Sequence, residues 1–378
     1  MKLFLKNLKS KYLILKNILN NANQKNKFLF YSENKSYQKY SYNIISVLAE
    51  KYPNEILYVT SDEKDIMRDL KVKNLFVGNG FLMKLFFQII KAEYFFLTLT
   101  DLDNHSLKKT KNIGKYIYFF HAPVSTFKNY TNSAFDNYDI ILCNGEHHLE
   151  EIRKREELKN LPKKRLIKAG YFYFDYILER ISHNHQPEKI LIAPSWNYHH
   201  PNFINENFIK IINELIQKKK DVIFRPHPEH YKRSTKILDL IKNQFGNSVN
   251  FYFDQSNENL ESMEKAKCLI TDASGISIEY LLLLKRPVLY LSDKDKIHNK
   301  DFLDFKDLKS IDIVTKDNFG YNFFEKDIAN LDLIIEETIK KFEAKIPLLD
   351  NFINDNFFNF GSTKKEFDLI IENQIINK

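Results

Sequence analysis

Short apolar runs and amphipathic stretches alternate along this chain from one end to the other. Apolar runs bounded by turn residues predict strands at 27–31, 55–60, 94–99, 116–120 and 139–143. After a break they recur at 189–193, 221–225, 249–253, 268–271 and 287–291. Apolar residues at three- and four-residue spacing predict helices at 42–51, 80–91, 146–158, 205–218, 234–243, 275–284 and 331–342. Strand and helix alternating in this way is the pattern of an α/β protein whose parallel sheets are covered on both faces. The polar stretch 181–188, which contains Pro187, separates a helix from a fresh strand. It predicts a first Rossmann-like domain at 1–180 and a second at 188–378, with parallel sheets facing across a cleft at the C-terminal ends of their strands. The final segment, 367–376, is amphipathic and could cross back onto the first domain.

The N-terminal twenty residues carry five lysines and no acid, with Phe4, Leu8, Tyr12, Leu15 and Leu19 at helical spacing. Lys6, Lys9 and Lys11 interrupt the continuous apolar core that a signal peptide needs. No run of about 18 apolar residues occurs, so no transmembrane helix is expected. Two outcomes stay open: an amphipathic helix packed on its own domain, or a basic helix lying on the inner leaflet of a membrane. Both predict a cytoplasmic protein, peripheral on the membrane in the second case.

Composition narrows the picture further. The chain's 378 residues suit two domains of ordinary size, and 43% hydrophobic with 28% charged residues is a globular balance. Its 32 Phe and 21 Tyr against a single Trp read as a bias of the coding DNA rather than a function. A net charge of +8 favours anionic partners, either phosphorylated substrates or an acidic membrane surface. No basic cluster interleaved with aromatics forms a nucleic-acid module, so no nucleic-acid partner is expected. Cys143 and Cys268 each lie in an apolar run, as buried thiols in a reducing compartment do.

Two segments carry candidate chemistry. In Ile223-Phe-Arg-Pro-His-Pro-Glu229 the two prolines end the strand and present Arg225 and His227 at its C-terminal tip. A guanidinium and an imidazole there suit phosphate binding, although a strand-ending turn with a structural ion pair would have the same sequence. In Cys268-Leu-Ile-Thr-Asp-Ala-Ser-Gly-Ile-Ser-Ile-Glu-Tyr280 a strand runs into Asp272, and Ser274 and Gly275 open a helix. Ser274 is placed as its N-cap, Ser277 lies in the first turn and Glu279 one turn further on. Free N–H groups, hydroxyls and a glycine at a helix N-terminus make a phosphate site, while Asp-x-Ser-Gly is also a plain capping sequence.

Together these segments resemble the CDP-glycerol glycerophosphotransferases, the teichoic acid primases and polymerases. R-P-H-P after a strand is followed by D-x-S-S, an E-Y or D-Y pair, and an apolar helix ending before K-R-P. Ile190-Leu-Ile-Ala-Pro-Ser-Trp196 resembles that family's A-P-T-W strand end. Phe120-His-Ala-Pro-Val-Ser-Thr-Phe-Lys128 is similar to its H-G-x-x-x-K motif, and Ala169-Gly-Tyr-Phe-Tyr-Phe-Asp175 to its G-x-P-R-x-D segment. The resemblance covers roughly residues 116–291. It implies a GT-B fold and transfer of a polyol phosphate from a CDP-linked donor to a hydroxyl on a polymer or lipid-linked acceptor, releasing CMP, without metal or cofactor. Carried over, His121 is the general base and His227 stabilises the leaving phosphate. Arg225, Asp272, Ser274, Gly275, Ser277, Glu279 and Ser195 then form the donor site, with Glu279 on the ribose. This sequence departs from the pattern at Ala122, at Tyr171-Phe-Tyr173 in place of the proline and arginine, and at Gly275 in place of the second serine.

Those departures keep a second outcome open, a GT-B glycosyltransferase using a nucleotide sugar, and behind it a nucleotide-sugar epimerase of the same frame. Weaker signals point elsewhere. Asp101-Leu-Asp103 is a D-x-D pair that a metal-bound nucleotide could use, but such pairs are common in acidic loops. His147-His148 and His199-His200 are adjacent pairs whose side chains diverge, which argues against zinc and predicts surface or cleft histidines.

Overall fold

A computed structural model describes residues 2–22, 24–104, 107–182, 185–196, 204, 206–272, 274–291 and 297–377, with side chains from Lys9 onward except that of Ser10. His199 and His200 lie outside the described residues. The chain forms two compact units. Unit 1 comprises Met1–His121, Ser133–Tyr176 and Phe357–Lys378, and unit 2 comprises Ala122–Asn132 and Ile177–Asn356.

Unit 1 holds a seven-stranded parallel sheet of β1 (Lys25–Ser32), β2 (Ile56–Thr60), β3 (Lys73–Phe76), β4 (Lys91–Leu97), β5 (Ile113–Phe119), β6 (Ile140–Cys143) and β7 (Arg165–Lys168). Their spatial order is β3-β2-β1-β4-β5-β6-β7, which places the switch in winding between β1 and β4. Helix α1 (Lys2–Ala22) precedes β1, α2 (Gln38–Lys51) joins β1 to β2, and α3 (Phe81–Ile89) joins β3 to β4. The strands are apolar on both faces because helices cover both, and the core takes Phe28, Phe30, Ile44, Tyr58, Phe96, Ile117 and Phe119. Each such side chain taken out of water contributes about 1.5–3 kcal/mol. Phe30 and Phe96 stack at 4.6 Å across the β1–β4 pair, so the aromatic bias of the chain is spent in the sheet.

Unit 2 repeats the plan with six parallel strands: β8 (Lys189–Ile192), β9 (Val222–Phe224), β10 (Phe251–Phe253), β11 (Ala266–Thr271), β12 (Val288–Leu291) and β13 (Tyr321–Phe323). Their order is β10-β9-β8-β11-β12-β13, with the switch point between β8 and β11. The helix Gly275–Leu284 follows β11 directly, and its residues from Ser277 to Leu283 are all buried.

All ten strands predicted from the sequence are present, and β3, β7 and β13 were not predicted. These three lie at sheet edges. An edge strand has a neighbour on one side only and is short, so it shows no continuous apolar run; in β3 only Leu75 is buried. The domain limits also differ from those expected at 1–180 and 188–378. The last 22 residues return to unit 1, where the C-terminal helix Thr363–Ile370 and the turn after it bury Phe367, Ile370, Ile371 and Ile375. In the other direction Ala122–Asn132, between β5 and β6 in sequence, belongs to unit 2. There Ser125 N–H and Asn129 Nδ2 donate to the two carboxylate oxygens of Asp312 (2.9 and 2.8 Å), and the ring of Phe127 stacks on Phe302 and Phe305.

Candidate active site

The C-terminal strand tips of unit 2 gather most of the sequence-predicted residues. At the switch point Asp272, on the tip of β11, accepts from the N–H of Ser195 (2.7 Å) and from its hydroxyl (2.9 Å) beyond β8. Both residues are buried, so their observed role is to pin two adjacent strand tips together. His230, which the sequence did not single out, adds to this: its Nε2 lies 2.9 Å from the carbonyl of Ser195 and its Nδ1 3.2 Å from the hydroxyl of Ser234. The signal available was a second imidazole three residues beyond His227.

Arg225 closes the tip of β9, and its guanidinium is braced. Nη1 donates to Asp254 Oδ2 at 2.5 Å and to the Ser256 hydroxyl at 2.9 Å, and Nη2 to the Ser256 carbonyl at 3.0 Å. Asp254 follows β10, the neighbouring strand, and was also missed, although an acid directly after a predicted strand is a strand-tip signal. Burial would raise the pKa of its carboxyl. Hydrogen bonds from Ser256 and Ser262 and the charge of Arg225 outweigh burial and hold it below the usual carboxylate range. His227 is exposed, and its Nδ1 accepts the N–H of Glu229 at 3.2 Å. An Nδ1 acting as acceptor puts the ring proton of the neutral imidazole on Nε2.

Ser274 occupies the N-cap position with extended backbone, yet its hydroxyl makes no capping bond to the helix. Ser274, Gly275 and Ile276 are partly exposed, which leaves the helix start open. A Cβ on Gly275 would lie 3.5 Å from Ala122 and from Val124, an ordinary contact with an apolar loop. A serine would therefore fit at this position without strain. Ser277 points inward and donates to the Ser274 carbonyl at 2.6 Å, so its hydroxyl is occupied within its own helix. Glu279 is buried, 3.5 Å from Nδ2 of Asn259.

In unit 1, His121 follows the tip of β5, and its half-buried ring lies against Tyr37 and Tyr40, with centroids 5.7 and 6.0 Å away. Burial pushes its pKa down to about 4, against a smaller upward effect of a hydrogen bond with the Thr98 backbone. The near-neutral pKa expected of a base is therefore not what this pocket produces. Ala122, the next residue in the chain, is the one that packs beside Gly275 at the start of the Gly275–Leu284 helix.

Several weaker expectations resolve as structure. Asp101 accepts from the Ser133 hydroxyl at 3.1 Å and Asp103 from the Lys109 N–H at 3.2 Å, both at positive φ in one turn. His147 and His148 are buried rather than at a surface; His148 stacks on Phe120 at 3.8 Å, and its Nδ1 accepts the Asn144 N–H. Among the described residues no group of three or more His, Cys, Asp or Glu is arranged to hold a metal. No described helix is long and apolar enough to cross a membrane. Asp175 accepts from the N–H groups of Gly361 and Lys364, so the end of the G-x-P-R-x-D-like segment anchors the returning C-terminal segment.

Two doubly wound parallel sheets, each on its own unit and wound in the order 3-2-1-4-5-6 with a seventh strand added in unit 1, are the GT-B fold. Solved structures agree with this assignment. The chain is similar to the wall teichoic acid polymerase TagF at a TM-score of 0.60 and 16% identity, covering 96% of this chain and 92% of that one. It is equally similar in fold to S. aureus MnaA with UDP (TM-score 0.60, 10% identity, 92% and 96% covered). The UDP-GlcNAc 2-epimerase of Neisseria meningitidis bound to UDP-GlcNAc also matches (TM-score 0.56, 12% identity, 93% and 100% covered). No protein-family model and no curated protein matches the sequence.

Proposed function

We propose that the chain is a transferase that binds a nucleotide-diphosphate-activated donor on unit 2. It moves a polyol phosphate, glycerol phosphate or similar, from a CDP-linked donor to a hydroxyl of a polymer or lipid-linked acceptor in cell-wall or capsule polymer synthesis. The observation that carries this is the row of strand tips in unit 2. The braced guanidinium of Arg225, the exposed imidazole of His227 and the open helix start at Ser274 and Gly275 follow β9 and β11, which flank β8. At about 4.8 Å per strand these groups span roughly 10 Å, enough for a diphosphate. Asp272, Ser195 and His230 act as positioning residues beneath them, and Glu279 with Asn259 would meet the ribose.

His121, neutral at pH 7, would take the proton of the acceptor hydroxyl as its oxygen bonds to the transferred phosphorus. The bond from that phosphorus to the bridging oxygen breaks, and CMP leaves with its new charge held by His227 and Arg225. A nucleotide-sugar glycosyltransferase remains the second reading. Two departures favour it: Tyr173 is fully buried where the resembling family has arginine, and Gly275 faces Ala122 and Val124 where it has serine.

A thermal-shift panel of CDP-glycerol, CDP-ribitol, UDP-sugars and CMP-sugars tests both, since a ligand of the folded state raises the Tm by mass action. Stabilisation by a CDP-polyol, lost in Arg225→Ala, supports the first reading. Stabilisation by a nucleotide sugar alone replaces it with the second, and no shift with any of them removes the donor site.

A further inference from the structure

Arg225 and Asp254 meet because of strand register. The ladder between β9 and β10 pairs Phe224 with Phe253, so Arg225 and Asp254 are the next pair, one position beyond it and on one face of the sheet. The Asp254 N–H donates to the Phe224 carbonyl at 2.9 Å and keeps the two tips in step. Every acceptor direction of the Asp254 carboxylate is in use. Oδ1 takes the N–H and the hydroxyl of Ser256 (2.8 and 2.6 Å). Oδ2 takes the hydroxyl of Ser262, on the helix Leu260–Lys265, and Nη1 of Arg225, both at 2.5 Å. A carboxylate only 2% exposed and met by four donors has a single orientation.

That fixed carboxylate decides which part of the guanidinium stays open. A guanidinium carries five N–H groups in one plane. Nη1 gives one to Asp254 and one to the Ser256 hydroxyl, and Nη2 gives one to the Ser256 carbonyl. Because Nη1 and Nη2 both reach Ser256, that residue closes the far end of the group. The Nε–H and the second hydrogen of Nη2 lie parallel on the remaining edge. Among the described residues neither has an acceptor, and the side chain keeps 14% of its surface. Two parallel N–H groups on one edge match two oxygens of one phosphate.

We propose that Asp254 and Ser256 are positioning residues of the donor site: by taking three N–H groups of Arg225 they leave it one fork, Nε with Nη2, which grips a single phosphate side-on. Resting on the reading of unit 2 as the donor side, the fork is the part of Arg225 that meets the ligand, and Asp254 aims it without touching the ligand itself. A pre-aimed fork loses little side-chain freedom on binding, whereas an unbraced arginine would have to be ordered by the ligand. A lysine cannot replace it. Its ammonium is a rotating point charge that offers neither the planar brace nor the parallel pair.

The probe is inorganic pyrophosphate, which carries no base, polyol or sugar, titrated calorimetrically into the full-length protein at about 0.15 M NaCl. The parent should bind it, and Arg225→Lys should lose as much affinity as Arg225→Ala, roughly 10-fold or more. Asp254→Asn should weaken binding roughly 10-fold, and Ser256→Ala, at an exposed position, roughly threefold in the same direction. Tm is read on every sample, because a purely structural partner would move Tm and leave the affinity alone. The proposal is overturned by a parent that does not bind pyrophosphate, by binding unchanged in Arg225→Ala, or by Arg225→Lys within about twofold of the parent. Parental affinity in Asp254→Asn overturns it too; should that variant not fold, parental affinity in Ser256→Ala does so. A CDP-polyol or nucleotide sugar that stabilises the parent and Arg225→Lys alike would sink the fork and keep the donor site. Pyrophosphate binding that follows the fork, with no such donor shifting the Tm, would keep the fork and sink the donor reading.

Discussion

The two units share one winding order and differ at their strand tips. Unit 2 lines its tips with charge: Arg225 on Asp254, Ser195 on Asp272, and an exposed imidazole at His227. Unit 1 lines the tip of β5 with rings, and its one ionisable candidate, His121, is pushed toward the neutral form by burial among them. The backbone frame is therefore neutral about chemistry. A charged, braced tip suits an anion, whereas an aromatic tip keeps an imidazole uncharged, and the proposed function accordingly gives donor binding to one unit and proton transfer to the other.

The sharpest break of this comparison is His121→Ala. A general base acts in the chemical step, so kcat should fall about 10²–10⁴-fold while donor affinity stays near parental. A parallel loss of donor affinity would show that the two tips do not divide the work. Next in size is Gly170→Ala in unit 1. Gly170 has φ +87°, and an added Cβ would collide with the Phe358 carbonyl and lie 2.6 Å from Thr363. Destabilisation of about 3 kcal/mol or more is expected by denaturant unfolding. The donor-induced thermal shift of unit 2 should survive wherever the variant remains folded.

The acid limb of the stability curve sharpens the contrast. His121 titrates near 6.5 when unfolded and at about 4 in the fold, so between those values the unfolded chain binds more protons. Stability contributed by the neutral ring is present above pH 6.5 and is lost as pH falls toward 4, by roughly 2–3 kcal/mol. In His121→Asn that limb should flatten between pH 6.5 and 4; an unchanged limb would mean the ring is not held neutral. Arg225→Ala or His227→Ala should weaken the donor by about 1.5–3 kcal/mol, or roughly 10- to 150-fold, in a binding titration. The smallest change belongs to Ser277→Ala. Its hydroxyl is bonded inside its own helix, so donor affinity should shift by less than about 1 kcal/mol. A larger loss would show that the hydroxyl turns outward to the phosphate.

Local pattern was enough for every central strand and for the helix at 275–284, because an element covered on both faces writes its burial into a continuous run of its own residues, and for the helix at 146–158, whose buried positions recur at helical spacing on one face. The same logic located Arg225, His227 and Ser274 at strand and helix ends, where prolines and a glycine mark the chain leaving the sheet. What residues at those places bond to was not legible. Arg225 meets Asp254 across 29 residues and Ser195 meets Asp272 across 77, pairings created only when β9 lies beside β10 and β8 beside β11. Edge strands β3, β7 and β13, the departure of Ala122–Asn132 to unit 2 and the pKa of His121 belong to the same class. Period and turn chemistry act over a few residues and are carried by the sequence itself. Strand order, burial of a single ring and the partner of a single charge depend on what the fold brings from elsewhere, and only the tertiary structure decides them.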